Sequence, residues 1–318
     1  MRFILRADAS KTIGSGHVMR LSAIAEELIA RGEFVVFVGL ISDLSWLKER
    51  ITTLGFTRIY QEPSDFISNP ASDVLILDSY GVRLDDHFIS LKNWLHVIAI
   101  VDEVTPEYPC TLRIHPGLDS NWIGRSSLPT LSGPKYIPFR SLLSKKISSP
   151  KKDSEVLKVV VVAGGSDPHS LVLELSKVLA NFRESFEAYL FTNLPGEVLS
   201  DSRFRNCEIG SSLDDVTKDA NLVLTTSSTS SLEFIARGLC VGVVCAVDNQ
   251  KQYYKQLGQL GVAAQIGIRT ESAGWDIKIN TLHRLLTDPE FRMKLTNKAI
   301  GLIDFGGASR IVDAIKSL

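Results

Sequence analysis

Short, almost wholly apolar runs recur along the chain, each leading through a loop into a stretch of helical spacing, and this alternation restricts the fold more than any other feature. Such runs need burial on both faces, which a parallel sheet between helices supplies. The first cycle is an apolar strand at 2–8, a loop at 9–16 and a helix opening at His17. Val18, Leu21, Ile24, Ala25, Leu28 and Ile29 recur there at helical spacing, and Gly32 marks the stop. Strands at 34–39, 58–60, 74–78 and 97–101 follow, with helices at 45–54 and 85–92.

The pattern lapses at 141–155, a polar, turn-rich stretch that includes Ser148, Ser149, Pro150 and Ser154, and there we place a domain boundary. It restarts with a strand at 157–163, a loop at 164–168 and a helix at 170–181. Strands at 188–192, 222–225 and 241–245 follow, the last preceded by a helix starting near Ser230. The tail, 276–286 and 289–318, reads as mostly helical with a break at Gly306 and Gly307. At roughly 150 residues per domain, the 318 residues make two doubly wound α/β domains, placed at 1–145 and 156–290, with a helical segment at 291–318.

Charge and composition exclude several classes. Lys plus Arg is 35 and Asp plus Glu is 36, so no basic surplus exists to neutralise a phosphate backbone, and nucleic acid is not the expected partner. No apolar stretch approaches the roughly 20 residues of a membrane span. Arg2, Arg6 and Asp8 interrupt the first ten residues, which therefore do not resemble a signal peptide. A cytoplasmic protein is the expectation. Cys110, Cys207, Cys240 and Cys245 form no CxxC pair and are expected as reduced, mostly buried thiols.

In doubly wound sheets ligands sit beyond the carboxyl ends of the strands, so the loops there carry the search. Gly14, Ser15 and Gly16 precede His17, but Met19 occupies the third glycine position of a dinucleotide fingerprint, which disfavours a nicotinamide cofactor. A histidine at a helix start sits at the positive end of the dipole, which favours a neutral ring able to act as a general base. Gly164, Gly165 and Ser166 offer a second glycine loop, suited either to a phosphate or to close packing. The run 225–231 of Thr and Ser leads into a helix, crowding hydroxyls and amides where an anion would sit, and Glu233 lies near that helix start. Asp78 and Asp102–Glu103 end apolar strands, where carboxylates can point into the cleft; capping a following helix is the alternative reading, most of all for Asp78.

Taken in order, Arg6-Ala7-Asp8-Ala9-Ser10, Ile13-Gly14-Ser15-Gly16-His17, Arg20, Asp78-Ser79-Tyr80-Gly81, Asp102-Glu103, Gly164-Gly165-Ser166-Asp167-Pro168, Glu233 and Asn249-Gln250 resemble one family. It is the UDP-sugar hydrolase family of pseudaminic-acid biosynthesis, grouped with spore-coat polysaccharide biosynthesis proteins, which acts on UDP-2,4-diacetamido-2,4,6-trideoxy-β-L-altropyranose. That family is similar to glycosyltransferases of GT-B architecture. The resemblance implies two Rossmann-like domains with an interdomain cleft and a last helix crossing back to the N-terminal domain. UDP would be held mostly by the second domain.

Residue by residue, the resemblance implies His17 as the base that activates water, with Tyr80, a cleft residue near the sugar, and Asp8 also in the catalytic set. Gly14, Gly16 and Arg20 would contact substrate. Gly164, Gly165, Ser166, Ser230 and Ser231 would neighbour the diphosphate, Glu233 would hold the ribose, and Asn249 and Gln250 would face the sugar. Attack opposite UDP would invert the anomeric centre, with no cofactor and no metal, because helix N-termini can carry the leaving charge. Two positions depart from the family pattern: His115 stands where an amide is expected, and Ser79 replaces the His of Asp-His-Tyr-Gly forms. His169, after the second glycine loop, reads as a helix N-terminal surface residue.

Two other readings remain open from sequence. A glycosyltransferase would use the same donor site and pass the sugar to a hydroxyl acceptor; Trp46, Leu47, Lys48 and Arg50 would suit the surface it needs for a membrane-bound acceptor. A silent nucleotide-sugar-binding module would need no base, and His17 argues against it.

Overall fold

A computed structural model gives the fold, with residues 1–83, 86–102, 104–122, 128–146, 156–165, 167–192, 201–209, 213–270 and 274–318 described. The chain divides into two compact units, Met1–Ser141 with Asp304–Leu318, and Leu142–Ile303. Of the polar boundary stretch read from sequence, 147–155 lies outside the described residues.

The first unit runs β1 (Arg2–Arg6), α1 (Gly16–Ala30), β2 (Phe34–Val38), α2 (Ser45–Thr53), β3 (Arg58–Tyr60), β4 (Asp73–Leu77), β5 (His96–Ile100), β6 (Leu112–His115) and β7 (Thr130–Ser132). Its seven parallel strands lie in the order β3-β2-β1-β4-β5-β6-β7. The winding reverses between β1 and β4, where Arg6 pairs with Leu77. Strand alternation splits the core in two. Phe3, Leu5, Val74, Ile76, Ile98 and Ile100 pack with Val18, Leu21 and Ile24 of α1 and Leu47 and Ile51 of α2. Ile4, Leu75, Leu77, Val97 and Ala99 face the other way, onto Phe66, Phe88 and Trp94.

That second face corrects one expectation. The helix expected at 85–92 is instead two short 3-10 turns, His87–Ile89 and Leu91–Asn93, with 84–85 outside the described residues. The Trp94 indole N–H donates to the Phe88 carbonyl, the acceptor that a continuing α-helix would have needed. Ser90 between the turns is extended. Strands β6 and β7 had no counterpart in the sequence reading.

The second unit runs β8 (Leu157–Val162), α3 (Leu171–Ala180), β9 (Phe186–Phe191), β10 (Phe204–Cys207), α4 (Leu213–Thr217), β11 (Leu222–Thr226), α5 (Thr229–Ala236), β12 (Val241–Cys245), α6 (Lys251–Leu260), β13 (Ala264–Arg269), β14 (Trp275–Ile277), α7 (Ile279–Thr287) and α8 (Pro289–Ala299). The order is β10-β9-β8-β11-β12-β13-β14, with only β14 antiparallel, against β13. Here the winding reverses between β8 and β11. The stretch 276–286, expected as helix throughout, begins instead as β14, because Trp275, Asp276 and Ile277 pair antiparallel with β13, with the Thr270 N–H donating to the Gly274 carbonyl beside them.

The chain returns to the first unit only with α9 (Gly307–Lys316), whereas α8 stays in the second. Ile311, Val312 and Ile315 of α9 enter the core under α1, each contributing roughly 1.5–3 kcal/mol on burial. Arg31 at the end of α1 binds Asp313 at 2.5 Å and the Ser309 hydroxyl at 2.7 Å. No described helix is long and apolar enough to cross a membrane. The four cysteines are free.

Candidate functional site

Both winding reversals collect the unusual loops read from sequence, which is where open α/β sheets hold ligands. In the first unit β1 leads into the loop before His17, and its neighbour β4 leads into Asp78 and Tyr80. The loop closes on Ser10, whose hydroxyl accepts from the Thr12 and Ile13 amides at 3.2 and 3.1 Å and whose carbonyl accepts from Gly14 at 2.8 Å. Gly14 has φ +86°, a conformation that side chains disfavour. Gly16 opens α1, and His17 is its second residue.

His17 is buried, and its Nδ1 lies 2.6 Å from Oδ1 of Asp78. One turn on, Arg20 forks onto the same carboxylate, Nε to Oδ2 at 2.8 Å and one terminal nitrogen to Oδ1 at 2.7 Å. That nitrogen is also 3.1 Å from Nδ1 of His17. Asp78 is 1% exposed, and burial alone would raise its pKa. The charge of Arg20, then that of His17, outweighs burial and holds the carboxyl below its ordinary range. Among the described residues Asp78 caps no helix; it is an anchor for two side chains of α1.

Tyr80 completes the arrangement. Its ring meets the His17 ring edge-on, with centroids 4.5 Å apart and planes at 86°. Its hydroxyl donates to Oδ2 of Asp102 at the end of β5. Burial first, and the Asp102 charge second, push that hydroxyl's pKa well above its ordinary value, so it remains a donor. Asp102 is fixed in turn by the amides of Val104 and Thr105, each at 3.1 Å, and by the Thr105 hydroxyl at 2.8 Å. Glu103 lies outside the described residues.

The other polar residues singled out in this half of the chain have these partners. Asp8 follows the end of β1 and is part-buried. Arg6 binds it through two bonds of 2.6 and 2.8 Å, and the Leu40 amide donates to it at 2.9 Å. Arg20, expected as a substrate ligand, is committed to Asp78 and is itself buried. His115 is buried and stacks flat on Trp122, with centroids 4.4 Å apart.

In the second unit the glycine loop after β8 and the hydroxyl-rich turn after β11 are neighbours. The Thr226 hydroxyl donates to the Ala163 carbonyl at 3.4 Å. Gly164 has φ +109°, and Ser166 lies outside the described residues. Asp167 caps α3, accepting from Leu171 at 2.8 Å and Val172 at 2.9 Å. Ser230 is half-buried in the first turn of α5, whereas the Ser231 hydroxyl is buried and turned back onto the Ser228 carbonyl at 2.7 Å. Glu233 is half-buried on the same helix. Asn249 is exposed beyond β12, while the side-chain oxygen of Gln250 accepts from the Ala246 amide at 2.9 Å. The Ser227 hydroxyl donates to the Gln250 carbonyl at 3.3 Å, tying the third loop to the second. Among the described residues, no group of three or more His, Cys, Asp or Glu is placed to hold a metal ion.

With the geometry in place, comparison with known structures defines the fold: two parallel-sheet α/β domains of the GT-B type. The chain matches MurG of Acinetobacter baumannii with a TM-score of 0.64 at 14% identity, covering 100% of both chains. It matches the glycotransferase of kitacinnamycin with a TM-score of 0.67 at 14% identity, covering 99% of this chain and 98% of that one. For a UDP-N-acetylglucosamine 2-epimerase the TM-score is 0.58 at 11% identity, covering 99% and 95%. Among curated proteins it is similar to the uncharacterized protein MJ1062 of Methanocaldococcus jannaschii, 22% identical over 284 residues. That match takes in 80% of this chain but 57% of the relative's length. No family model matches the sequence.

Proposed function

We propose that the chain hydrolyses a UDP-linked diacetamido-trideoxy sugar at the anomeric C–O bond. The products are UDP and a free sugar for nonulosonate synthesis of the pseudaminic-acid type, made in the cytoplasm. The observation that carries this reading is a buried histidine at the mouth of α1, held by a carboxylate from the adjoining strand. It matches the general base that the sequence resemblance implies. His17 takes a proton from water as the water oxygen bonds to the anomeric carbon. The C–O bond to the diphosphate breaks, and UDP leaves with the electron pair. Gly164, Gly165 and the first turn of α5 with Ser230 would carry charge on a leaving diphosphate, a reading supported by strands β8 and β11 being neighbours and by a glycine loop and a helix start following them. Glu233 would take the ribose, and Asn249 and Gln250 would face the sugar.

A second reading is favoured by the fold. The kitacinnamycin protein is a glycotransferase by name, and a GT-B transferase would use the same base to deprotonate a hydroxyl acceptor and pass a UDP-activated amino sugar to surface polysaccharide. UDP release from the UDP-linked sugar, measured with and without a hydroxyl acceptor, separates the two. Release in water alone supports hydrolysis; release only with acceptor supports transfer.

A further inference from the structure

We infer that Asp78 and Arg20 are positioning residues that fix the proton of neutral His17 on Nδ1, leaving Nε2 as the atom that takes the proton from the nucleophile. The inference rests on the proposed reading of His17 as the base. An ionised carboxylate can only accept, so the 2.6 Å contact between Nδ1 and Oδ1 needs a proton on Nδ1. Arg20 supplies the fixed positive charge that keeps Asp78 ionised, through its fork of 2.8 and 2.7 Å. The competing arrangement has Arg20 donating to a bare Nδ1 across 3.1 Å, with the ring proton on Nε2. It would press two lone pairs together at 2.6 Å in a buried site, which low dielectric makes costly.

Among the described residues, Asp78, Arg20 and, through Tyr80, Asp102 are charged groups linked to His17. Asp78 comes from the end of β4 and Arg20 from α1, and they cancel; Asp102 at the end of β5 acts through the Tyr80 hydroxyl. Tyr80 closes the ring's side edge-on, so rotation about the side chain is blocked as well as the tautomer being set. During the reaction the Nδ1 proton stays with the ring, shared toward Asp78, while Nε2 gains the proton lost by water. The logic parallels the carboxylate of a Ser-His-Asp triad, which sets tautomer and orientation without itself taking the proton.

The test is long-range proton–nitrogen correlation of histidine rings in the free, 15N-labelled protein, with His17 assigned from its loss in His17→Gln. The expected result at a pH where the ring is neutral is a protonated Nδ1 and a bare Nε2. A protonated Nε2 in the wild type overturns the inference, whatever the variants do. In folded Asp78→Asn the expected changes are a shift of the proton toward Nε2 and a kcat lowered about 10²-fold or more, with KM little moved. Unchanged tautomer and turnover in that variant also overturn it. Because the tautomer is read without substrate, a correct tautomer with no UDP release counts against the reaction and leaves the positioning intact.

Discussion

Replacing Asp78 by alanine removes the shared anchor of two buried side chains. Asp78 is 1% exposed and Arg20 8%, so the guanidinium would be left charged, desolvated and without its fork. Breaking one partner of a buried pair costs about 3–5 kcal/mol, against roughly 0–1 kcal/mol for an exposed pair. His17 loses its partner in the same stroke, adding to the cost. Native-state amide exchange in β1 and β4 reads this unit directly, and at about 1.4 kcal/mol per decade the slowest amides should lose two to four orders of magnitude of protection. The double replacement Arg20→Met with Asp78→Leu removes both charges and should recover most of the loss. A cost below about 1 kcal/mol for Asp78→Ala, or a double variant no better than the single, would refute the buried-anchor account.

Acid should act at the same point: with the Asp78 pKa depressed in the folded state, its contribution is present above the ordinary Asp value of about 3.9 and is lost as pH falls through the depressed one. Asp78→Asn should therefore flatten the acid limb of the first unit's unfolding curve. Gly307→Ala would place a Cβ 2.0 Å from the Ile137 carbonyl oxygen, so α9 must shift, and chemical denaturation should show a loss of about 1–3 kcal/mol. Burial, partly opposed by Arg292, pushes the Cys240 thiol up to about 12, so mass spectrometry after alkylation at pH 8 should find Cys240 unmodified until the protein unfolds. Arg237 is fully buried, donating to the Thr217 hydroxyl at 2.8 Å and the Asp214 carbonyl at 3.2 Å; Arg237→Ala should lower the second unit's stability by several kcal/mol, read by exchange in β11.

The alternation of apolar strands and helices was enough to foresee two doubly wound units, because parallel strands must be buried on both faces and so leave a local signature. His17 was visible for a similar reason: a glycine loop and a helix start are written in adjacent residues. Its partner was not. Asp78 lies 61 positions away in sequence and meets His17 only because β4 docks beside β1, a pairing that no local pattern encodes. The fork of Arg20 onto Asp78 was hidden for the same reason, since nothing in a sequence shows which carboxylate a guanidinium will face. The bonds of Asp8 to Arg6 and to the Leu40 amide were likewise not legible, since the second comes from a loop 32 residues on. The helix misread at 85–92 failed through Trp94, a residue outside the window, whose indole captures a carbonyl inside it.

The most direct measurement is release of UDP from UDP-2,4-diacetamido-2,4,6-trideoxy-β-L-altropyranose by the purified chain in buffer with no acceptor, followed beside His17→Ala. The account predicts steady release of UDP and free sugar by the wild type, and a variant that remains folded but is slower by about 10²-fold or more. No release by the wild type, or equal release by the variant, would contradict it.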